Sequence, residues 1–527
     1  MKRWNNLLGF IIIITSLLNA QIRNDFSGLK FCIDPGHGGH NPANDRLVIP
    51  DPGVEFWESE SNFQKALLLD TLLKQKNAWV ILTRYTNHYP NDDDEPTLAE
   101  RAAIANANNV HLFNSIHSNA AGGTNTGINY TLILFRGYDN QPVFPSAKTV
   151  GSIMGPQIRN HLRTQTSYNR GDWSFYGNTL GLGVLRPLLM PGTLSEGSFH
   201  DYFPETRRLM NQSYRKMEAY AILKTFMQFY NVISDTFGII AGIQTDGETN
   251  KPKNQTIVRL LPQNSLYYGD NYNNGFYMFE RVPPTSHYVK FETSQYINDS
   301  ALINVQTNGL HFYDKTLILN IPPVVTATQP VKNDTNFKVT NFIGIRFSRV
   351  MDTASVRRGF SITPAVNGTM NWYLNNVMMF FIPSQPLQYN TYYTVLIDSN
   401  AKSIGGLPID GNGDGIPGDP FVLNFRTELA TSVESDFTRP NKFELYQNYP
   451  NPFNPLTRIQ FDLPEMTHVI LKIFNVHGQE VTTLINQHLP AGRHTIDFDG
   501  VGISSGIYYY KIQAGSFIKT RKMLLIK

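Results

Sequence analysis

The chain has 527 residues, of which 41% are hydrophobic and 17% charged, with a net charge of +3. That composition excludes a largely disordered polypeptide, and at roughly 150 residues per domain the length indicates three or four domains. The small net charge gives no electrostatic case for a nucleic-acid or anionic-surface partner, and the single cysteine, Cys32, excludes an intrachain disulfide.

The first element is an address. Lys2 and Arg3 precede the apolar run Leu7–Leu18, and Asn19, Ala20 and Gln21 follow. A positive start, a short apolar core and a small residue predict a signal peptide over residues 1–20. The run is too short to cross ~30 Å of hydrocarbon at ~1.5 Å per residue. No later segment reads as a membrane span, so an exported chain without a membrane anchor is expected.

From Gly28 to about Tyr230, strand and helix patterns alternate. Lys30–Ile33 reads as a strand, ended by the breaker series Pro35-Gly36-His37-Gly38-Gly39, with Cys32 as a buried structural thiol. Helical spacing covers Phe63–Leu73, and Trp79–Thr83 reads as a strand. Thr97-Leu98-Ala99-Glu100 is a capping box that opens a helix to about Ala107. Strands are predicted over Leu112–Ile116 and Ile128–Phe135, and helices over Ser146–Leu162 and Glu205–Tyr230. This order predicts an α/β domain over residues 28–232 with helices on a mostly parallel sheet. The remainder is rich in short alternating strands and turn pairs such as Asp246-Gly247, and the aromatic content of 12% suits such strands. Three small β-sandwich modules are expected, over residues 237–323, 324–427 and 443–527, with a polar linker over 428–442.

Candidate chemistry falls at the strand ends of the α/β region, where ligands sit in such sheets. His37 follows the first strand and His117 follows Leu112–Ile116. Glu55, Glu58 and Glu60 cluster just before the first predicted helix. Glu196 follows the apolar-to-small run Met190–Ser195 and is expected at another strand's carboxyl end. Two histidines and a carboxylate make a catalytic zinc set with a fourth position for water. Zinc lowers the pKa of water from about 15.7 to about 7, which lets it attack a stable amide at neutral pH. A second carboxylate can then carry the proton to the leaving nitrogen. On spacing alone, Glu55, Glu58 and Glu60 all remain open as the third ligand.

Residues 30–230 resemble the zinc-dependent N-acetylmuramoyl-L-alanine amidases of the amidase-3 family. The resemblance rests on Asp34-Pro35-Gly36-His37-Gly38-Gly39, on Glu58 before Asn62-Phe63, and on Thr83-Arg84. It continues through Leu98, Arg101, Ala105 and Asn106, then Ser115, His117 and Asn119, and finally Pro191 and Glu196. It implies that His37, Glu58 and His117 bind zinc and that Glu196 is the general base and proton shuttle. The implied substrate is peptidoglycan, cut between N-acetylmuramic acid and L-alanine. Arg84 and Arg101 read as structural residues pairing with carboxylates or helix ends. The chain departs from the family at Ser59, where lysine is usual, in a longer loop Asn41–Phe56, and in Ser195-Glu196-Gly197-Ser198-Phe199. Gly137–Leu185 is a candidate regulatory or gating insertion. The alternatives are a non-catalytic peptidoglycan-binding surface protein and a zinc amidase for another amide.

Residues 237–323 resemble a carboxypeptidase-regulatory module, and 324–427 the Ig-like modules of bacterial surface proteins. Asp410, Asn412 and Asp414 lie in a stretch like the start of a weak calcium loop, but its twelfth position is Phe421, with Asp419 as a substitute ligand; a polar hairpin tip is the plainer reading. Asn448-Tyr449-Pro450-Asn451-Pro452-Phe453-Asn454-Pro455 and Gly506-Ile507-Tyr508 resemble a type IX secretion C-terminal sorting domain. That implies the type IX machinery as partner and passage through the periplasm to the outer surface or the extracellular space. Gly502-Ile503-Ser504-Ser505-Gly506 fits a serine-hydrolase elbow, but the alternating residues after it predict a strand where that elbow needs a helix.

Overall fold

The computed structural model describes residues 22–39, 47–48, 55–87, 95–122, 127–430 and 440–526. The expected signal peptide lies outside the described residues, as do most of the 41–56 loop and much of the 428–442 linker. The chain divides into two compact units, Met1–Glu428 and Leu429–Lys527.

The first unit begins with β1 (Lys30–Pro35), β2 (Leu47–Val48), β3 (Phe56–Trp57), α1 (Glu58–Lys74), β4 (Trp79–Leu82), α2 (Leu98–Ala107) and β5 (Leu112–Asn119). There follow β6 (Thr131–Phe135), β7 (Gly137–Tyr138), β8 (Gln141–Pro142), α3 (Pro145–Leu162), β9 (Ser167–Gly171), α4 (Asp172–Tyr176), β10 (Gly192–Phe199), α5 (Phe203–Leu209) and α6 (Gln212–Phe229). Six strands form one sheet in the order β4-β1-β5-β10-β6-β9. All neighbours are parallel except β10 and β6.

Alternation along the strands gives the sheet two apolar faces. Phe31, Ile33, Leu112, Ile116 and Ile133 pack with α1, α3 and α6 on one side. Cys32, Phe113, Leu132, Leu134 and Leu194 meet Ala102 and Ala105 of α2 and the Val184–Leu188 segment on the other. Cys32 is fully buried, and burial raises its thiol far above the ordinary range, in keeping with a structural role.

The capping box at α2 forms as expected: the Thr97 hydroxyl accepts from the Glu100 amide and the Glu100 carboxylate accepts from the Thr97 amide. Two expectations are corrected. The helix over Glu205–Tyr230 is two helices, because Asn211 takes an extended conformation and its side chain caps α6 by accepting from the Tyr214 amide. Helix α1 begins at Glu58, five residues earlier than its apolar spacing suggests, so Glu58 opens the helix rather than preceding it. Within Gly137–Leu185, α3 and β9 belong to the sheet framework; the β7–β8 hairpin and the α4 segment are what remain outside it.

Beyond Ile233 the described strands form antiparallel-rich sheets in three pairs. The first pair spans Gly238–Leu317, the second Val325–Arg426, and the third, in the second unit, Glu444–Leu525. An α/β domain followed by three small β-sandwiches is therefore the fold class. Gly506–Ala514 is a strand, so the elbow-like serine motif lacks its helix.

The first sandwich shares a core with the α/β domain. Ile239, Ala241, Phe276 and Met278 belong to the same apolar cluster as Met217, Ile222 and Phe226 of α6. Tyr214 meets Phe276 edge-on at 5.1 Å. Polar ties surround that core: Lys216 and Tyr220 bond Glu280, Asn211 bonds Asp270, and Arg163 pairs with Asp314. Removing Phe276 leaves a cavity against Tyr214, so Phe276→Ala is expected to cost about 3–5 kcal/mol. A chain ended after Val232 is expected to unfold at lower urea than one carried through Pro323. Circular-dichroism denaturation checks both; equal midpoints for the two lengths would contradict a shared core.

Candidate metal centre and catalytic site

The turn after β1 is shaped by buried charge. Asp34 is 1% exposed and accepts from Ser115 Oγ at 2.5 Å, from Thr83 Oγ1 at 2.5 Å and from Arg101 Nη1 at 2.7 Å. Burial opposes its charge, but Arg101 and the two hydroxyls outweigh that and hold its carboxyl below the usual carboxylate range. Arg101 also donates to the carbonyls of Pro35 (2.8 Å) and His37 (3.0 Å) and to Glu95. Arg84 donates to the carbonyls of Pro35 (3.2 Å) and Ser59 (3.2 Å), tying the same turn to the start of α1. Both arginines therefore act on the shape of the turn.

That turn delivers His37. Its φ of 58° lies in the left-handed region, which a non-glycine residue adopts only when its surroundings demand it. Gly36 beside it leaves room for His117: a Cβ at position 36 would stand 2.2 Å from the imidazole Cε1. The two rings lie 4.9 Å apart, nearly edge-on.

His117 and Glu196 sit within strands rather than beyond their ends. The β5–β10 ladder runs on through Glu196↔His117 to Phe199↔Asn119, so both strands extend past the expected stops. As register partners on neighbouring strands, ~4.8 Å apart, the two residues face the same side of the sheet.

Glu58 is the meeting point. The residue is 2% exposed. One carboxylate oxygen accepts from the Ser118 amide at 3.1 Å and from Asn62 Nδ2 at 3.2 Å, and lies 3.3 Å from His117 Nδ1. The other lies 3.3 Å from His37 Nε2 and 3.8 Å from His200 Nδ1. Burial alone would raise this carboxyl, but the surrounding imidazoles hold it well below the usual range. Burial dominates at His117 and lowers its pKa, which favours the neutral imidazole. An anionic Glu58 carboxylate and a neutral His117 imidazole are the donor forms that zinc takes. One donor atom from each of His37, Glu58 and His117 lies within 4.8 Å of the other two. The residues present thus fit a divalent metal of the zinc type. The other two acids are engaged differently: Glu55 is exposed, and Glu60 accepts from Asn87 at 2.9 Å and Gln64 at 3.0 Å.

Two features were missed in the sequence. His200, 1% exposed, bonds Ser118 Oγ at 3.0 Å and approaches Glu58, while Asp201 beside it accepts from the amides of Ala121 and Gly122. The only cue was a polar pair directly after Phe199. The second is a fully buried ion pair, Lys65–Glu218 at 2.7 Å. Glu218 lies against the strand at Gly197, where a Cβ would stand 2.3 Å from its carboxylate oxygen. The glycine directly after Glu196 thus has a packing reason.

At the second candidate metal loop, carboxylate oxygens of Asp410, Asp414 and Asp419 also lie within 4.8 Å of one another. Asp410 is buried and accepts from the amides of Gly413, Asp414 and Gly415, and Asn412 bonds Asp414 and Asp419. These internal bonds account for the loop as a closed polar turn, and no calcium is assigned to it.

Residues 31–226 match the family model described as N-acetylmuramoyl-L-alanine amidase. Residues 320–427 match a bacterial Ig-like domain, and 447–527 a secretion system C-terminal sorting domain, the mark of export through the periplasm to the outer surface or the extracellular space. The chain is 26% identical over 214 residues, 40% of its length, to an uncharacterized cell wall amidase of Bacillus anthracis. It is 29% identical over 188 residues, 35% of its length, to the N-acetylmuramoyl-L-alanine amidase CwlM of Bacillus licheniformis. These matches span 38% and 62% of the two relatives. Among solved structures, an N-acetylmuramoyl-L-alanine amidase from Clostridium difficile 630 aligns at 25% identity over 38% of this chain and 96% of that one, with a TM-score of 0.31.

Gly36→Ala would drive a methyl group into the His117 ring and is expected to weaken divalent-metal affinity by roughly tenfold or more. Competition with a chelating dye reads this, and unchanged affinity would mean that the ring has room to move. Asp34→Asn removes the buried anion of Arg101 and leaves only the partly exposed Glu95 as its charge partner, and is expected to cost about 3–5 kcal/mol of stability in urea unfolding.

Proposed function

We propose that the chain is an exported zinc amidase that hydrolyses the amide between N-acetylmuramic acid and L-alanine of peptidoglycan. The observation that carries this reading is the convergence of His37, Glu58 and His117 beside Glu196, inside the segment that matches the amidase model. His37, Glu58 and His117 would hold the zinc. When bound, the metal supplies Lewis acidity and a water acidic enough to attack near pH 7.

This chain's own residues do the rest. Glu196 takes the proton of the attacking water and returns it to the amide nitrogen as the C–N bond breaks. Asn62 and the Ser118 amide fix the Glu58 carboxylate through the bonds described above. Asp34 and Arg101 hold the turn that presents His37. His37 and His117 keep 27% and 16% of their side chains exposed, so substrate can reach them from solvent.

In this reading residues 1–20 direct export and residues 28–232 catalyse. Residues 237–323 and 324–427 serve as spacers or binding modules. Residues 428–442 link them to the sorting domain over 443–527, which engages the type IX secretion machinery.

Glu196→Gln is expected to retain zinc and lose roughly 10²–10⁴-fold in turnover of labelled cell wall. His117→Ala is expected to lose both zinc and turnover. Mass spectrometry of the products should show free L-alanine amino termini. Intact turnover by Glu196→Gln would remove its assigned role. Wall binding without cleavage by a zinc-free native chain would favour a non-catalytic surface protein.

A further inference from the structure

Glu196 stands at one end of a row of tyrosines. Its partner on β6 is Leu132, and Leu132 in turn pairs with Tyr168 on the edge strand β9. Registered partners project to one face, so two strand spacings, roughly 10 Å, separate Glu196 from Tyr168. Tyr130, just before β6, helps to bridge that interval. Its ring meets Tyr168 edge-on at 5.2 Å and packs on the buried Phe199 at 4.5 Å. Burial raises the Tyr130 and Tyr176 hydroxyls, and the negative charge of Glu196 acts on both in the same direction.

The row is rigid yet open. Tyr168 and Tyr176 are each 48% exposed. Helix α4, which carries Tyr176, is pinned by the buried Asp172, whose oxygens accept from the amides of Gly137 and Leu182, both at 2.9 Å. At position 181 a Cβ would stand 2.2 Å from that carboxylate, so Gly181 lets the loop close over it. The exposed face of Tyr168, held edge-on by Tyr130, is thus a preorganised aromatic surface open to water.

We propose that Tyr130, Tyr168 and Tyr176 form a stacking platform for the glycan strand that flanks the scissile amide. This rests on the reading of the site as an amidase of sugar-linked peptides. A pyranose ring offers a flat C–H face bordered by hydroxyls, which matches a phenol with an apolar face and a polar tip. The stem peptide carries carboxylates, which would lose hydration on an uncharged aromatic row. The platform lies beside the proton carrier, so a bound sugar chain would bring its lactyl amide toward Glu196.

Calorimetric titration of the full chain carrying Glu196→Gln, with peptide-free glycan strands and with isolated stem peptide, tests this. Glycan is expected to bind, and the added pair Tyr168→Ala/Tyr176→Ala to weaken it by roughly tenfold or more, two stacking contacts' worth. The pair Tyr168→Phe/Tyr176→Phe keeps the rings and is expected to stay within about threefold of the parent. Single alanine variants, each with its unfolding midpoint, separate lost stacking from lost folding. Three results overturn the platform: no glycan binding by the parent, equal binding by the alanine pair, or a tyrosine dependence confined to the stem peptide. Tyrosine-dependent glycan binding by a native chain that cleaves no wall would uphold the platform and sink the amidase reading alone.

Discussion

A carboxylate buried to 2% exposure cannot stay ionised without positive charge or donors around it, and Glu58 is that group. Three imidazoles, one amide N–H and one carboxamide surround it. Its position at the first residue of α1 adds the positive end of the helix dipole. A divalent cation bound by His37, Glu58 and His117 would complete that balance, leaving the imidazoles neutral and oriented as ligands.

The scaffold meets the requirement with rigid parts. His117 and Glu196 are locked in register on adjacent strands, so the separation between the proposed ligand and the proposed proton carrier is set by a sheet spacing rather than by a loop. His37 comes from a turn, and a turn needs support. The Asp34–Arg101 pair and the Arg84 contacts supply it by holding the carbonyls that flank His37 and Gly36. Gly36 and Gly197 are absent side chains with a purpose: one clears the His117 ring and the other clears Glu218.

Much of this was legible in residue order because local chemistry dictates it. The Thr97–Glu100 box, the breaker series after β1 and the alternation in the strands each specify one conformation. The choice among Glu55, Glu58 and Glu60 was not legible from spacing. Three acids in six residues look alike until the helix start turns Glu58 inward and leaves Glu60 to Asn87 and Gln64. The family resemblance, not the pattern, singled out Glu58. His200 was invisible because its partners, Ser118 and Glu58, lie 82 and 142 positions away and converge only through the sheet. The break before α6 was missed for a related reason. Apolar spacing continues across it, and only the capping by Asn211 marks the stop. The core shared between α6 and the first β-sandwich belongs to tertiary packing that no local pattern records.

On the proposed function, these dispersed side chains hold one zinc ion. Anomalous diffraction at the zinc edge from crystals of the full chain locates any such ion. A single strong peak is expected within about 2.0–2.2 Å of one nitrogen from each of His37 and His117 and one oxygen of Glu58. Bound zinc located elsewhere, or zinc-soaked crystals with no peak between those three residues, would contradict it.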